Sequence, residues 1–172
     1  MAELMRVAYV FPGQGSQWVG MGRDLYDNFD SAKAVFEEAD ETLEAPLSRL
    51  CFEGPEEELR QTINAQPAIL AVSFACLKLF QEVSGSNRLP PPTFVAGHSL
   101  GEYTALAATG MLDFATTIYL ARERGRLMHE AGLRKSGGMV AIIGLDEALL
   151  AEVCDETDTC IANVNCPAMV SG

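Results

Sequence analysis

An α/β fold with a mainly parallel sheet is the architecture this 172-residue sequence predicts, and three observations predict it. Short apolar runs rich in β-forming residues alternate with longer helical patterns. The first run stops at a glycine-rich loop, and the second runs into a Gly-x-Ser-x-Gly segment followed by helical sequence. Both loops leave from carboxyl ends of strands, where open α/β sheets bind their ligands.

The elements follow in order. Arg6 to Phe11 (RVAYVF) reads as a buried strand ended by Pro12-Gly13. Pro12 to Gly22 carries four glycines, which implies positive φ angles or close backbone approach. Ser31 is placed to cap a helix carrying Ala34, Val35, Ala39 and Leu43 at helical spacing. Gly54-Pro55 followed by Glu56, Glu57 and Glu58 reads as a turn opening a short helix, its acids facing the positive dipole end. Pro67 to Val83 is apolar nearly all round, as in a central helix covered on most sides. Ser84 to Pro92 reads as a surface loop, and Thr93 to Ala96 as a second buried strand. After Gly97–Gly101 a small-residue helix runs to about Ala108 and a longer one from Asp113 to about Arg134. Ser136-Gly137-Gly138 is a composition break between a large unit, 1–135, and a smaller one, 138–172. In the latter, strand (139–143), helix (146–154) and strand (159–164) start a second α+β unit.

Composition narrows the function classes. Twelve Lys+Arg against twenty-four Asp+Glu give a net charge of −12, which argues against binding a phosphate backbone, so no nucleic-acid partner is expected. The acid is concentrated between Asp24 and Glu58, with twelve carboxylates against two bases. Arg122 to Lys135 reverses this, with five bases against two acids. That segment is either a solvated helix face or an anion site. The longest apolar stretch, Pro67 to Phe80, contains Lys78 and reads as too short to span a bilayer, so no membrane partner is expected. The five cysteines include no CxxC pair, and Cys154, Cys160 and Cys166 have no nearby histidine. No metal is expected, and reduced thiols fit a cytoplasmic protein.

Gly97-His98-Ser99-Leu100-Gly101 is where chemistry is expected. In a nucleophile elbow, a tight strand–turn–helix pushes the serine hydroxyl out at the sheet's edge, with flanking glycines relieving the crowding. The Leu100 N–H then lies at a helix N-terminus, free to stabilise an oxyanion. A serine hydroxyl needs a base. His98 is adjacent to Ser99, and neighbouring side chains at an elbow diverge. His129 falls inside the long helix, where a surface or packing role suits it. The chain therefore shows a nucleophile without an evident base.

Phe11 to Gln17 (FPGQGSQ), joined to Gly97 to Tyr103 (GHSLGEY), resembles the malonyl-CoA:acyl-carrier-protein transacylases, themselves similar to the acyltransferase domains of fatty-acid and polyketide synthases. Gln66-Pro67-Ala68 opening the central helix, Arg122 to Gly125 (RERG) and Gly138 to Ala141 (GMVA) agree, so the resemblance runs along essentially the whole chain. It implies that Ser99 forms the acyl-enzyme ester and that the Gln14 and Leu100 N–H groups form the oxyanion hole. It implies that Arg124 binds the free malonyl carboxylate, a task suited to a planar guanidinium with two parallel donors. His98 supports the elbow, and Gln17 and Gln66 line the pocket.

The same resemblance implies malonyl transfer from malonyl-CoA to the phosphopantetheine thiol of acyl carrier protein, in fatty-acid biosynthesis. Coenzyme A thioester is then a substrate, with no permanently bound cofactor, and the arginine-rich segment would attract the acidic carrier protein. A full-length enzyme of this kind is expected to be monomeric. In the family the activating histidine lies downstream, past the first part of a small ferredoxin-like domain. Asn163 to Gly172 resembles a strand region inside that domain, and its Pro167–Ser171 run reads as shorter than the usual loop. The sequence thus reads as the N-terminal portion of a transacylase without its catalytic histidine, and its early first strand as that of a free-standing enzyme. Two alternatives stand beside this: an α/β-type serine hydrolase, for which His129 is the only downstream histidine, and a non-catalytic fragment needing a complementing chain.

Overall fold

A computed structural model of the chain describes residues 6–88, 91–135, 137–166 and 169–171, with side chains left out at 85–88 and from 166 onward. Leu89 and Pro90 of the expected loop, Ser136 of the glycine break, and Pro167 and Ala168 lie outside the described residues. The chain divides into two compact units, Met1–Ala131 and Gly132–Gly172.

In the first unit, β1 (Ala8–Phe11) pairs in parallel with β2 (Phe94–Gly97), with Ala8 opposite Phe94 and Phe11 opposite Gly97. Both strands were expected to be buried; only one face is. Phe11 is buried and Tyr9 and Val95 pack on the core, whereas Val10 (73% exposed) and Phe94 (69%) project from the other face. Among the described residues of this unit no layer covers that face.

Between the strands come α1 (Arg23–Asn28), α2 (Asp30–Leu43), α3 (Leu47–Glu53), α4 (Glu56–Leu59) and α5 (Thr62–Arg88). Ser31 does not cap α2. The extended residue Phe29 (φ −138°) opens the helix at Asp30, which puts Ser31 inside its first turn, where Oγ is buried without a hydrogen-bond partner. Asp30 meets the dipole instead.

The central helix α5 is longer than expected at both ends. It starts at Thr62, so Pro67 lies inside it, not at its opening. It continues through Ser84–Arg88, where a loop was expected, because serine and glycine cost a helix only about 1 kcal/mol each. At that length Thr62–Ser84 is long and apolar enough to cross a bilayer, which corrects the expectation from Pro67–Phe80. Its setting is that of a core helix: Ala65, Ala68 to Ala71, Phe74, Ala75 and Leu77 are buried. Ala32, Val35, Phe36 and Ala39 of α2 join the same core. Tyr26, Phe36 and Phe52 form an aromatic cluster on it, and Phe74 stacks on Phe114 at 4.7 Å between centroids. Cover ends near Leu77, since Phe80 and Val83 are exposed.

After β2 come α6 (Gly101–Ala108) and α7 (Phe114–Arg134). Asp113 caps α7, its carboxylate accepting from the Thr116 N–H (2.7 Å) and hydroxyl (2.8 Å), and these bonds hold its pKa below the usual range.

The second unit contains β3 (Ala141–Ile143), α8 (Glu147–Thr157), β4 (Asn163–Cys166) and β5 (Met169–Ser171). The sheet order is β3-β5-β4, antiparallel throughout. Asp146 caps α8 by accepting from the Ala148 N–H at 2.9 Å. The last expected strand starts four residues late, at Asn163. Thr159 is taken by the end of α8, its N–H donating to the Cys154 carbonyl beyond a left-handed Asp158 (φ 52°).

Candidate active site

Ser99 stands on a turn that the two flanking glycines make possible. β2 ends at Gly97 and α6 begins at Gly101, with Ser99 held at φ 54° in the left-handed region. The turn is closed by Gly101 N–H to the His98 carbonyl (2.9 Å) and Glu102 N–H to the Ser99 carbonyl (3.2 Å). It is tied to β1 by His98 N–H to the Phe11 carbonyl (3.0 Å). A Cβ on Gly97 would overlap the Gly101 carbonyl, and one on Gly101 would overlap the Phe11 carbonyl. Backbone cannot yield as a flexible side chain can. Gly97→Ala is therefore expected to lower stability by about 3 kcal/mol or more, read as a fall in the denaturant midpoint. A midpoint unchanged from the parent protein would refute this account of the turn.

The glycine-rich loop after β1 meets this turn. A Cβ on Gly13 would come within 2.6 Å of the His98 carbonyl oxygen and 2.8 Å of His98 Nδ1, so the imidazole lies against Gly13. Gln17 is turned into its own loop, its Oε1 accepting from the Gly15 N–H at 2.8 Å. The Ser16 hydroxyl donates to the Gly13 carbonyl (2.9 Å). The Gln14 side chain reaches α5, where Nε2 donates to Thr62 Oγ1 (3.1 Å). Gly20 N–H to the Cys51 carbonyl (2.8 Å) anchors the far end of the loop.

Arg124 comes to Ser99 from α7. Its Nη2 donates to Ser99 Oγ at 3.0 Å, its Nη1 donates to Gln66 Oε1 at 2.6 Å, and its guanidinium sits 5.9 Å from the Tyr103 ring centre. Gln66 is fully buried, and its Nε2 donates to Met128 Sδ at 3.2 Å. Thus Ser99, Arg124 and Gln66, separated by as many as 58 residues in sequence, form one hydrogen-bonded chain.

The docking of α7 on the start of α5 has a cause that the sequence reading missed. Pro67 has no N–H, so the carbonyl of Ile63, four residues back, loses its helical donor. Arg122 takes that carbonyl through Nη1 (3.2 Å), and the same nitrogen donates to Asn64 Oδ1 (2.6 Å). A Cβ on Gly125 would stand 2.7 Å from the Thr62 carbonyl oxygen, so glycine lets the helices close there. Arg124 is thereby bracketed by an anchor on one side and a close approach on the other. The signal was present: a proline inside a helix leaves a carbonyl to be satisfied.

The arginine-rich segment is not a uniform anion surface. Arg126 is held by Glu123 (2.8 Å) and Glu130 (2.6 Å), which raises its pKa and lowers that of Glu123. Burial lowers the pKa of Arg122, which serves the helix contact. Among the described residues, no group of three or more His, Cys, Asp and Glu gathers as a metal site.

Chemically, the arrangement presents an exposed serine hydroxyl on a strained turn beside a half-buried guanidinium. Known proteins resemble this chain at high similarity. The chain is 48% identical over 172 residues to a malonyl CoA-acyl carrier protein transacylase of Bacillus subtilis, covering 97% of this chain and 53% of the relative. The Escherichia coli K12 enzyme of that name is 43% identical over 153 residues, covering 89% and 48%. Among solved structures, an acyl carrier protein S-malonyltransferase from Vibrio cholerae superposes with a TM-score of 0.85 at 42% identity, covering 97% and 55%. A malonyl-transacylase solved with its type II polyketide-synthase acyl carrier protein gives 0.87 at 42% identity, covering 97% and 54%. The chain spans about half the length of these relatives. The family model of the acyl transferase domain matches residues 8–171. With its small parallel sheet, its serine turn and this match along its length, the chain belongs to the acyl transferase domain family.

Proposed function

We propose that this chain carries the nucleophile and carboxylate-recognition parts of a malonyl-CoA:acyl-carrier-protein transacylase. The observation that carries the reading is the 3.0 Å contact of Arg124 Nη2 with Ser99 Oγ. It sets a carboxylate-binding donor beside the reacting oxygen, and in malonyl the carboxylate is one methylene away from the acyl carbon. A plain ester hydrolase has no use for that pairing.

In this reading the Gly97–Gly101 turn is a nucleophile elbow. Ser99 Oγ attacks the thioester carbonyl carbon of malonyl-CoA. The tetrahedral oxyanion accepts from the N–H groups of Leu100, which precedes the internally bonded Gly101 amide, and of Gln14. Arg124 exchanges its bond to Ser99 for two to the malonyl carboxylate, while Gln66 keeps hold of Nη1. The carbon–sulfur bond breaks, and coenzyme A leaves as the thiol with the proton that Ser99 gave up. The phosphopantetheine thiol of acyl carrier protein then attacks the Ser99 ester, and the hydroxyl is regenerated. His98, packed on Gly13, supports the turn, and Gln17 braces the oxyanion loop. We assign the general base to neither histidine: the group that takes the Ser99 proton and passes it to the departing coenzyme A sulfur lies outside these 172 residues. The unit from β3 to β5 is the start of a ferredoxin-like subdomain, since its third strand lies antiparallel between the first two.

The test is mass spectrometry of the full-length protein after incubation with malonyl-CoA and an acid quench. One malonyl group on the peptide containing Ser99 is expected, and its release on adding holo acyl carrier protein. A protein that stays unmodified would overturn the proposal.

A further inference from the structure

Gln66 is fully buried, and both ends of its amide are engaged: Oε1 accepts from Arg124 Nη1 (2.6 Å) and Nε2 donates to Met128 Sδ (3.2 Å). We propose that Met128 is a positioning residue, its thioether sulfur fixing which way the Gln66 amide faces and thereby the selection of carboxylated over uncharged acyl groups. This rests on the transacylase reading above.

A primary amide is nearly symmetric in shape, so only its hydrogen-bond partners decide between the two orientations related by a flip. Here both partners choose the same one. In the reversed orientation the amide NH2 would face the guanidinium, donor against donor, and its oxygen would face the sulfur lone pairs. Burial removes the water that could otherwise satisfy either end. Arg124 and Met128 lie four residues apart on α7, hence on one face, and Gln66 reaches between them from α5. The orientation matters at the reacting end. With Oε1 holding Nη1, Nη2 is left directed at Ser99, where an acyl carboxylate would take it. Without an acceptor at position 128, the buried Nε2 has no partner and the amide has less reason to keep its oxygen on Arg124. Met128 is 46% exposed, so its share in the core is modest and its substitution is compatible with folding.

Two variants of the full-length protein test this: Met128→Leu, which keeps the bulk and removes the acceptor, and Met128→Gln, which supplies an amide oxygen on a chain of similar reach. The readout is kcat/KM for Ser99 acylation by malonyl-CoA and by acetyl-CoA. Met128→Leu is expected to lower the malonyl-to-acetyl ratio by about fivefold to tenfold, the scale of one neutral hydrogen bond, through the KM for malonyl-CoA. Met128→Gln is expected to recover most of the ratio. An unchanged ratio in Met128→Leu overturns the inference. So does an equal fall with both substrates, which marks a packing role, or a Gln variant no better than Leu. If the parent protein is itself not acylated, the transacylase reading fails; if it is acylated and the ratio is indifferent to position 128, only this inference fails.

Discussion

Ser99→Ala in the full-length protein is expected to carry no malonyl group after incubation with malonyl-CoA and to lose about five to six orders of magnitude in transfer rate, as when the nucleophile of a covalent mechanism is removed. The argument for so large an effect is that the acyl-enzyme step has no other acceptor. The hydroxyl is exposed at the tip of the turn, and its described partner is Arg124. Alanine occupies the φ 54° position at about the same backbone cost as serine, so the fold should survive. An unfolding midpoint close to that of the parent protein, together with an empty Ser99 peptide, is the expected pair of results. A malonyl adduct persisting in Ser99→Ala would place the nucleophile elsewhere.

Arg124→Ala is expected to cost about a hundredfold to a thousandfold in kcat/KM with malonyl-CoA and far less with acetyl-CoA. Two charge-assisted hydrogen bonds to a carboxylate are worth about 3–5 kcal/mol together, and each 1.4 kcal/mol is about tenfold. Acetyl has no carboxylate to lose. Arg124→Lys should recover little, because an ammonium cannot hold Gln66 Oε1 and present two parallel donors to an anion at once. Equal losses with the two thioesters would refute the carboxylate clamp. Some stability should also be lost in Arg124→Ala, since the buried Gln66 Oε1 is left without its donor.

These two residues were legible in the sequence to different depths. Ser99 was marked by its own neighbours: a β-forming run, a glycine on each side and a helical pattern after it are enough to specify a strand–turn–helix. The positive φ and the two glycine contacts bear that out. Arg124 was marked only by resemblance, because nothing local distinguishes it from Arg122 or Arg126. In space the three differ completely: Arg122 satisfies a carbonyl freed by Pro67, Arg124 reaches Ser99, and Arg126 is engaged by two glutamates.

What the sequence by itself determined is therefore the local grammar: where β1 and β2 stop, where the serine is raised, the start of α7 at Asp113, and the alternation that makes the fold α/β. Those features depend on backbone preferences and partners a few residues away. What only the tertiary structure decided is the second half of the site and the limits of the core. Gln66 reaches Arg124 and Met128 across 58 and 62 residues, and the uncovered face of β1 and β2 is a matter of which layers surround it. Such pairings follow from how α7 docks on α5, and that docking depends on a missing N–H at Pro67 and a missing side chain at Gly125, whose consequences appear only when the two helices meet.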